Sequence, residues 1–198
     1  QMAYTRIHSI KRTVEKSLDY IKNEKKTTFI GGSGSKDDLQ RAMSYIANAK
    51  KTTSKVSKEY RFVEGWQCDP QFATYQFEET KKKYLEAHGG RERNTTGTPA
   101  MAFHCIQSFD PSVTDPVLVH QIGMELAEKI GNGGYQCVVA THIEGSHCLH
   151  NHIIANAYPI DPYGHKYHRS VEEYQKIRQL SDEIGLKYGI EPIISNDE

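Results

Sequence analysis

Four of the chain's ten histidines lie within eleven positions, from His142 to His152, in the segment THIEGSHCLHNHIIAN (141–156). Side chains on a β-strand alternate between its two faces, so His150 and His152 are expected to point the same way. If the segment forms a hairpin, His142 lies across from that pair. Three imidazoles would then converge and leave other coordination positions of a divalent cation open, which is typical of a catalytic metal site.

Four other side chains near this cluster are weaker candidates for a role at the metal site. His147 falls in the predicted turn, where a solvated histidine is the expected state, and Cys148 is a poorer candidate ligand on the same face as His150. His104 lies on another predicted strand, where it could contact a ligating imidazole or accept a proton. Glu144 could orient an imidazole or simply be solvated. Three imidazoles accept manganese, cobalt, nickel, copper or zinc, so the residues alone leave the metal open.

The hydrophobic pattern predicts the elements that position these residues. Strands are predicted at 3–9, 100–109, 135–143 and 148–156, with a less regular one within 59–68. Helices are predicted at 13–23, 37–49, 115–131 and 171–189, with one more in 70–90 that ends at two glycines. The last two long strands, joined by a short turn, predict an antiparallel hairpin. This order favours an α+β fold with a central antiparallel β-sheet flanked by helices.

Length and composition exclude several classes of protein. With 198 residues, the chain is expected to form one domain over residues 1–198. No apolar run approaches the roughly 18 to 20 residues that span a bilayer, and the N-terminus lacks the apolar segment of a signal peptide. We therefore predict a cytoplasmic protein without membrane contacts. The four cysteines have no CxxC spacing, which argues against a zinc knuckle or a disulfide framework.

Charge is distributed unevenly along the chain although the formal net charge is zero. Residues 1–60 contain 13 Lys and Arg against 6 Asp and Glu. A basic N-terminal third in a neutral protein is compatible with a phosphate-binding face, and equally with solvated lysines on surface helices.

A short internal repeat lies in the same basic region. YIKNEKKTT at residues 20–28 recurs as YIANAKKTT at residues 45–53, with an offset of 25 residues. The repeat has two explanations that the sequence leaves equally open. It could reflect two similar helix ends with basic last turns, or two exposed tyrosines that lie beside lysines for a functional reason.

Three segments resemble the relaxases, or mobilisation nucleases, of conjugative plasmids and transposons, within the HUH endonuclease superfamily. TRIHSIKRTVEKSLDYIKNEKKT is similar to their nucleophile motif, FHCIQSF to their middle strand motif and HIEGSHCLHNHIIAN to their histidine motif. KYHRSVEEYQKIRQLSDEIGLKYG resembles the segment that follows in relaxases of Gram-positive elements, of the MobP-like type. The order and spacing of the segments, over nearly the whole chain, carry the resemblance.

This resemblance implies a metal-dependent enzyme that nicks one DNA strand at an origin of transfer, remains attached through a 5′-phosphotyrosine and later rejoins the ends. It implies the histidine motif on a central hairpin of the sheet. Because the sequence ends at Glu198 without a closing signal, we also expect the chain to be the N-terminal part of a longer protein. The implied partners are single-stranded and hairpin DNA, accessory relaxosome proteins and a coupling protein. The alternatives are a metal-stabilised module that binds origin DNA without catalysis, and a rolling-circle replication initiator of the same superfamily.

Carried over by position, the resemblance makes Tyr20 the expected nucleophile and Tyr45 the second candidate. It assigns His142, His150 and His152 as metal ligands for Mn²⁺ or Mg²⁺, with Zn²⁺, Ni²⁺ or Co²⁺ as further options. The full set of expected catalytic residues is Tyr20, His104 and Glu144. Glu144 stands where aspartate is common in the family, which keeps the charge but changes the reach of the side chain.

Overall fold

The computed structural model describes residues 2–9, 36–52, 62–90, 99–132, 134–144, 147–167 and 170–192. These residues contain a six-stranded sheet with the strand order β2-β4-β5-β3-β1-β6. The strands are β1 (Met2–Ser9), β2 (Val63–Trp66), β3 (Ala102–Phe109), β4 (Cys137–His142), β5 (His150–Asn156) and β6 (Glu191–Pro192). The predicted helix at 13–23 and the predicted nucleophile Tyr20 lie outside the described residues.

Pairing within the sheet is antiparallel except at one edge. β1, β3, β5, β4 and β2 pair antiparallel in turn, and the short β6 pairs parallel with β1. The expected α+β fold is therefore confirmed, while the sheet is mixed rather than wholly antiparallel. The sequence missed β6 because it has only two residues and one of them is Pro192, so no alternating pattern marks it.

The helices of the described residues are α1 (Lys36–Ile46), α2 (Ala49–Thr52), α3 (Ala73–Ala87), α4 (Pro116–Gly131) and α5 (Val171–Lys187). The helix α4 begins where the predicted helix 115–131 begins. Asp115 caps it, because its carboxylate accepts hydrogen bonds from the N–H groups of Val117 and Leu118 at 2.9 and 3.3 Å. The helix α5 begins at a similar cap, Ser170. Gly89 and Gly189 follow α3 and α5 with φ of 73°, which confirms the predicted glycine stops.

The helix α1 is shorter than the predicted 37–49. Its residues Leu39, Ala42, Met43 and Ile46 follow the spacing i, i+3, i+4, i+7 and are all buried, so this stripe attaches α1 to the sheet. Past Ile46 the chain turns into the separate short helix α2. The last buried residue of this stripe, Ile46, is therefore also the last residue of α1.

Hydrogen bonds assign the helices to the two faces of the sheet. The backbone carbonyls of Ile46 in α1 and Phe77 in α3 accept from side chains on one face. His120 in α4 and Ser181 in α5 bond to side chains on the opposite face. None of the helices in the described part of the chain is long and apolar enough to cross a membrane.

Candidate functional site

The two strands β4 and β5 pair as the sequence predicts. They are antiparallel, with His142 directly opposite His150 and Ala140 opposite His152. The even-numbered residues of both strands share the face that carries α1 and α3. The alternation of strand side chains therefore brings all three predicted ligands to one face.

The three imidazoles are close enough to bind one ion. One nitrogen from each of His142, His150 and His152 lies within 4.8 Å of the other two. The ring centroids of His142 and His152 are 4.3 Å apart, and His150 is 4.9 Å from both. His142 and His152 are buried and His150 is half-buried, so the group is open on the side of His150.

Each of these imidazoles has a partner that orients its other nitrogen. The carbonyl oxygen of Ile46 accepts from Nε2 of His142 at 2.9 Å, and that of Cys148 accepts from Nδ1 of His150 at 3.2 Å. A nitrogen that donates to a carbonyl carries the proton, so the remaining nitrogen offers a lone pair. His142 thus presents Nδ1 and His150 presents Nε2, and these two atoms are 3.1 Å apart.

The third ligand is oriented by another histidine. Nδ1 of His152 lies 2.8 Å from Nε2 of His104, and both residues are buried. Within the described part of the chain, no hydrogen-bond partner faces Nε2 of His152. A buried imidazole nitrogen without a hydrogen-bond partner is costly, and a bound cation would satisfy its lone pair. This nitrogen and the two facing nitrogens of His142 and His150 together fit a divalent cation.

Burial keeps the three imidazoles neutral. It lowers the pKa of His142 to about 3, with a further contribution from His150, and it lowers the pKa of His150 as well. The pKa of His152 lies well below its ordinary value for the same main reason, followed by the neighbouring His104 and His142. Neutral imidazoles are the form that binds metal, so the site is in its ligating form at neutral pH.

Tyr45 and Lys51 lie beside the three histidines. The Tyr45 ring, in the last turn of α1, is 5.9 Å from the ring centroids of both His142 and His152. Nζ of Lys51 lies 4.7 Å from the centroid of the Tyr45 ring. Sequence reasoning named Tyr45 as a candidate but missed Lys51. The repeat contained the only signal, since each copy has a lysine six residues after its tyrosine.

The remaining predicted site residues have varied surroundings. His104 touches a ligand imidazole, as described above, and His147 is exposed in the connection between β4 and β5. Glu144 is half-buried two residues beyond the end of β4. The role expected for Glu144 stays a prediction.

Two curated proteins are similar in sequence to parts of this chain. Protein rlx of Staphylococcus aureus is 32% identical over 123 residues, which are 62% of this chain and 33% of rlx. The Group II intron-interrupted relaxase LtrB of Lactococcus lactis is 40% identical over 58 residues, which are 29% of this chain and 10% of LtrB. The chain thus spans well under two thirds of the length of these relatives.

A solved structure reported as "Molecular Basis of Vancomycin Resistance Transfer in Staphylococcus aureus" has a similar fold. It matches with a TM-score of 0.50 and 14% identity, with full coverage of both chains. The model of the family "Relaxase: MobA/VirD2-like, nuclease domain" matches residues 45–190, from Tyr45 through His142, His150 and His152 to just past the end of α5. This match covers most of the chain, which therefore belongs to the MobA/VirD2-like relaxase family, as a nuclease domain.

Proposed function

We propose that the chain nicks and rejoins one DNA strand at an origin of transfer through a covalent tyrosine–DNA intermediate and so initiates conjugative transfer. The observation that carries this proposal is the position of the Tyr45 ring, 5.9 Å from two of three imidazoles that fit a divalent cation. A phenol and a cation site together supply a nucleophile and a place for the phosphate it attacks.

The reaction balances without a nucleotide cofactor. The tyrosine Oη attacks the phosphorus, a P–Oη bond forms, and the bond from phosphorus to the 3′ oxygen breaks. The phenol loses its proton and the departing 3′ oxygen gains one. Rejoining is the reverse, with a 3′ hydroxyl as nucleophile and tyrosine as leaving group. One ester is exchanged for another, so the energy of the phosphodiester is conserved in the protein-linked strand.

The chain's own groups prepare this step in two ways. Ile46, Cys148 and His104 fix the rings of the three ligands, so that Nδ1 of His142 and Nε2 of His150 and His152 converge. A divalent cation bound there would neutralise charge on the non-bridging phosphate oxygens. Because all three ligands are nitrogens, we propose Mn²⁺ rather than Mg²⁺, which prefers oxygen ligands.

The geometry supports Tyr45 as the nucleophile. The family resemblance favoured Tyr20, because this tyrosine follows the first strand at the spacing of the family motif, and it placed Tyr45 second. Tyr45 lies at the three histidines, and its helix is tied to them by the hydrogen bond from His142 to Ile46. Tyr20 stays a prediction from the sequence alone. We further propose that origin DNA with single-stranded and hairpin regions, accessory relaxosome proteins and a coupling protein are the partners.

Formation of a covalent adduct tests the proposal. Single-stranded oligonucleotides that tile the DNA next to the gene for this chain are incubated with the protein and Mn²⁺. A product that survives denaturation identifies the cleaved position, and mass spectrometry identifies the modified tyrosine. We expect Tyr45→Phe to abolish the adduct and Tyr20→Phe to retain most of it. Tyr163→Phe, at a tyrosine that is 79% exposed, is the matched control.

The outcomes separate the alternatives. Loss of the adduct only in Tyr20→Phe reverses the choice of nucleophile. If the wild type binds the oligonucleotides but forms no adduct with any of them, the chain is a DNA-binding module and the nicking proposal is wrong.

A further inference from the structure

Lys51 is a charged residue at the candidate site to which neither the motifs nor the family comparison gives a role. Its ammonium nitrogen lies 4.7 Å from the centroid of the Tyr45 ring. That ring is itself 5.9 Å from the rings of His142 and His152. A cation over one side of the proposed nucleophile, with a metal site on another side, is a specific arrangement rather than a solvated surface lysine.

The backbone fixes Lys51 at this place. Its carbonyl accepts from the N–H of Ile143 at 2.7 Å, directly after the metal ligand His142. Its own N–H donates to the carbonyl of Asn48 at 2.9 Å. The next residue, Thr52, is fully buried, and its carbonyl accepts from the N–H of Phe62 at 2.9 Å. The base of the lysine side chain is thus tied to the end of β4, and only the flexible stem is free to adjust.

The charge balance of the site calls for an anion. The ligand group found in the described residues consists of three neutral imidazoles and contains no carboxylate. With a divalent cation bound, Lys51 would add a further positive charge, and burial makes such an excess unfavourable. A phosphodiester with an attacking phenolate would supply the missing negative charge.

We propose that Lys51 is a further catalytic residue, whose ammonium group donates a hydrogen bond to a non-bridging oxygen of the phosphodiester that Tyr45 attacks. This inference rests on the proposed function, because it requires a phosphodiester at the three histidines. The internal repeat gains an explanation, since it preserves the spacing of tyrosine and lysine in both copies, Tyr20 with Lys26 and Tyr45 with Lys51.

Lys51→Met tests the proposal because methionine keeps an unbranched stem of similar length beside Tyr45 and lacks the charged ammonium donor. Two affinities are measured on the full chain. Mn²⁺ affinity is obtained from the electron paramagnetic resonance signal of the free ion. Affinity of the Mn²⁺-loaded protein for the dinucleotide thymidylyl-thymidine, a single phosphodiester, is obtained from ³¹P relaxation. Lys129→Met, at an exposed lysine in α4 on the opposite side of the sheet, is the matched control.

We expect Lys51→Met to weaken dinucleotide binding without weakening Mn²⁺ binding. Lys51→Met should weaken dinucleotide binding about 5- to 10-fold, while Mn²⁺ binding stays equal or becomes tighter because a repelling charge is gone. Lys51→Arg should recover most of the dinucleotide affinity. A parallel loss of both affinities would indicate a purely structural role and overturn the proposal, as would unchanged dinucleotide binding.

Adduct formation separates this proposal from the proposed function. With an oligonucleotide that the wild type cleaves, Lys51→Met should form the adduct about 100-fold more slowly, the scale of losing one donor to a developing oxyanion. A wild-type rate in this variant overturns the role of Lys51 and leaves the nicking proposal intact. Failure of the wild type itself refutes nicking, and the dinucleotide measurement still decides whether Lys51 binds a phosphodiester.

Discussion

The two faces of the β4–β5 pair are both polar and buried, yet their hydrogen bonding differs. On the face toward α4 and α5, Thr141, Asn151, Gln107 and Thr5 are direct cross-strand neighbours over four strands, and we call them the polar row. On the other face, the histidines occupy the positions flanking this row. The same hairpin thus carries a closed network on one side and an open one on the other.

Every link in the polar row is short. Thr141 donates to Oδ1 of Asn151 at 2.6 Å, and Nδ2 of Asn151 donates to Gln107 at 2.9 Å and to the carbonyl of Val119 at 2.7 Å. The amide of Gln107 and the hydroxyl of Thr5 both donate to Ser181 of α5 at 2.7 Å. These bonds hold the register of four strands against two helices.

The histidine face differs because one nitrogen of His152 finds no partner there among the described residues. The side chains of the polar row have hydrogen-bond partners, whereas Nε2 of His152 keeps an open lone pair. This difference separates structural from functional polar groups on the same two strands. We infer that the polar row fixes the strands so that the open face keeps its ligand spacing, and the two faces should therefore respond differently to substitution.

The largest expected effect is on metal binding. His152→Ala removes the nitrogen for which the described residues offer no partner, and we expect Mn²⁺ affinity to fall by at least about 100-fold, more than the loss of an orienting partner would cause. Calorimetric titration measures this affinity. His147→Ala changes an exposed histidine in the connection between β4 and β5. It is the control and should bind Mn²⁺ as the wild type does. Similar losses in both variants would refute the assignment of His152 as a ligand.

The polar row should instead control stability. Asn151→Leu removes one buried hydrogen-bond partner each from Gln107, Thr141 and the carbonyl of Val119, so we expect the free energy of unfolding to fall by about 3 kcal/mol. Urea denaturation of the metal-free chain measures this change. Gln179→Leu, at an exposed residue of α5 that bonds to Glu183, is the control. A loss below about 0.5 kcal/mol would show that the row does not hold the strands.

Acidification should act most strongly on the histidine face, where three buried imidazoles lie together. The four residues of the polar row do not titrate, and the one imidazole bonded to them is that of His120, whose Nδ1 lies 2.7 Å from Oγ1 of Thr141. The unfolded chain protonates each histidine near pH 6.5, whereas burial lowers the folded-state pKa of His142 to about 3. Below about pH 6.5 the unfolded state therefore binds more protons, and the free energy of unfolding decreases as the pH falls. His142 alone should account for about 2 kcal/mol between pH 7 and pH 5.

Urea midpoints of the metal-free chain at the two pH values give this difference. The variant His142→Gln removes the titrating group and keeps a side chain that can donate to Ile46. It should lose less stability than the wild type over the same pH interval. An equal loss in both chains would mean that His142 is not held neutral by the fold.

Local pattern explains which parts of this site the sequence could predict. The alternation of strand side chains is a local rule, so it predicted that His150 and His152 share a face and that Asn151 points away. The antiparallel pairing followed from a short turn between two strands, and His104 was expected beside a ligand imidazole. These features need only the strand period and one pairing.

Features that depend on the docking of distant segments carried no such signal. The carbonyl of Ile46, which orients His142, has no sequence signature, because every residue has a carbonyl. The bond between Thr5 and Ser181 joins residues 176 positions apart. The position of Tyr45 had the same limit, since both copies of the repeat match in sequence and the attachment of α1, which brings Tyr45 to the histidines, has no local signature.

The smallest expected effect comes from the helix that covers the polar row. Gly123 in α4 faces Asn151 so closely that an added Cβ would lie 2.5 Å from Nδ2 of the amide. Helix propensity favours alanine over glycine by about 1 kcal/mol, so substitution at an unconstrained helical site would stabilise the chain. Here three hydrogen bonds restrain the Asn151 amide, and the overlap between the added methyl group and this amide should outweigh helix propensity.

We expect Gly123→Ala to lower the free energy of unfolding by about 1 to 2 kcal/mol. Urea denaturation measures this change, with Glu128→Ala on the exposed side of α4 as the control. A stabilised Gly123→Ala variant would mean that the amide can move, and that the polar row is looser than its hydrogen-bond lengths indicate.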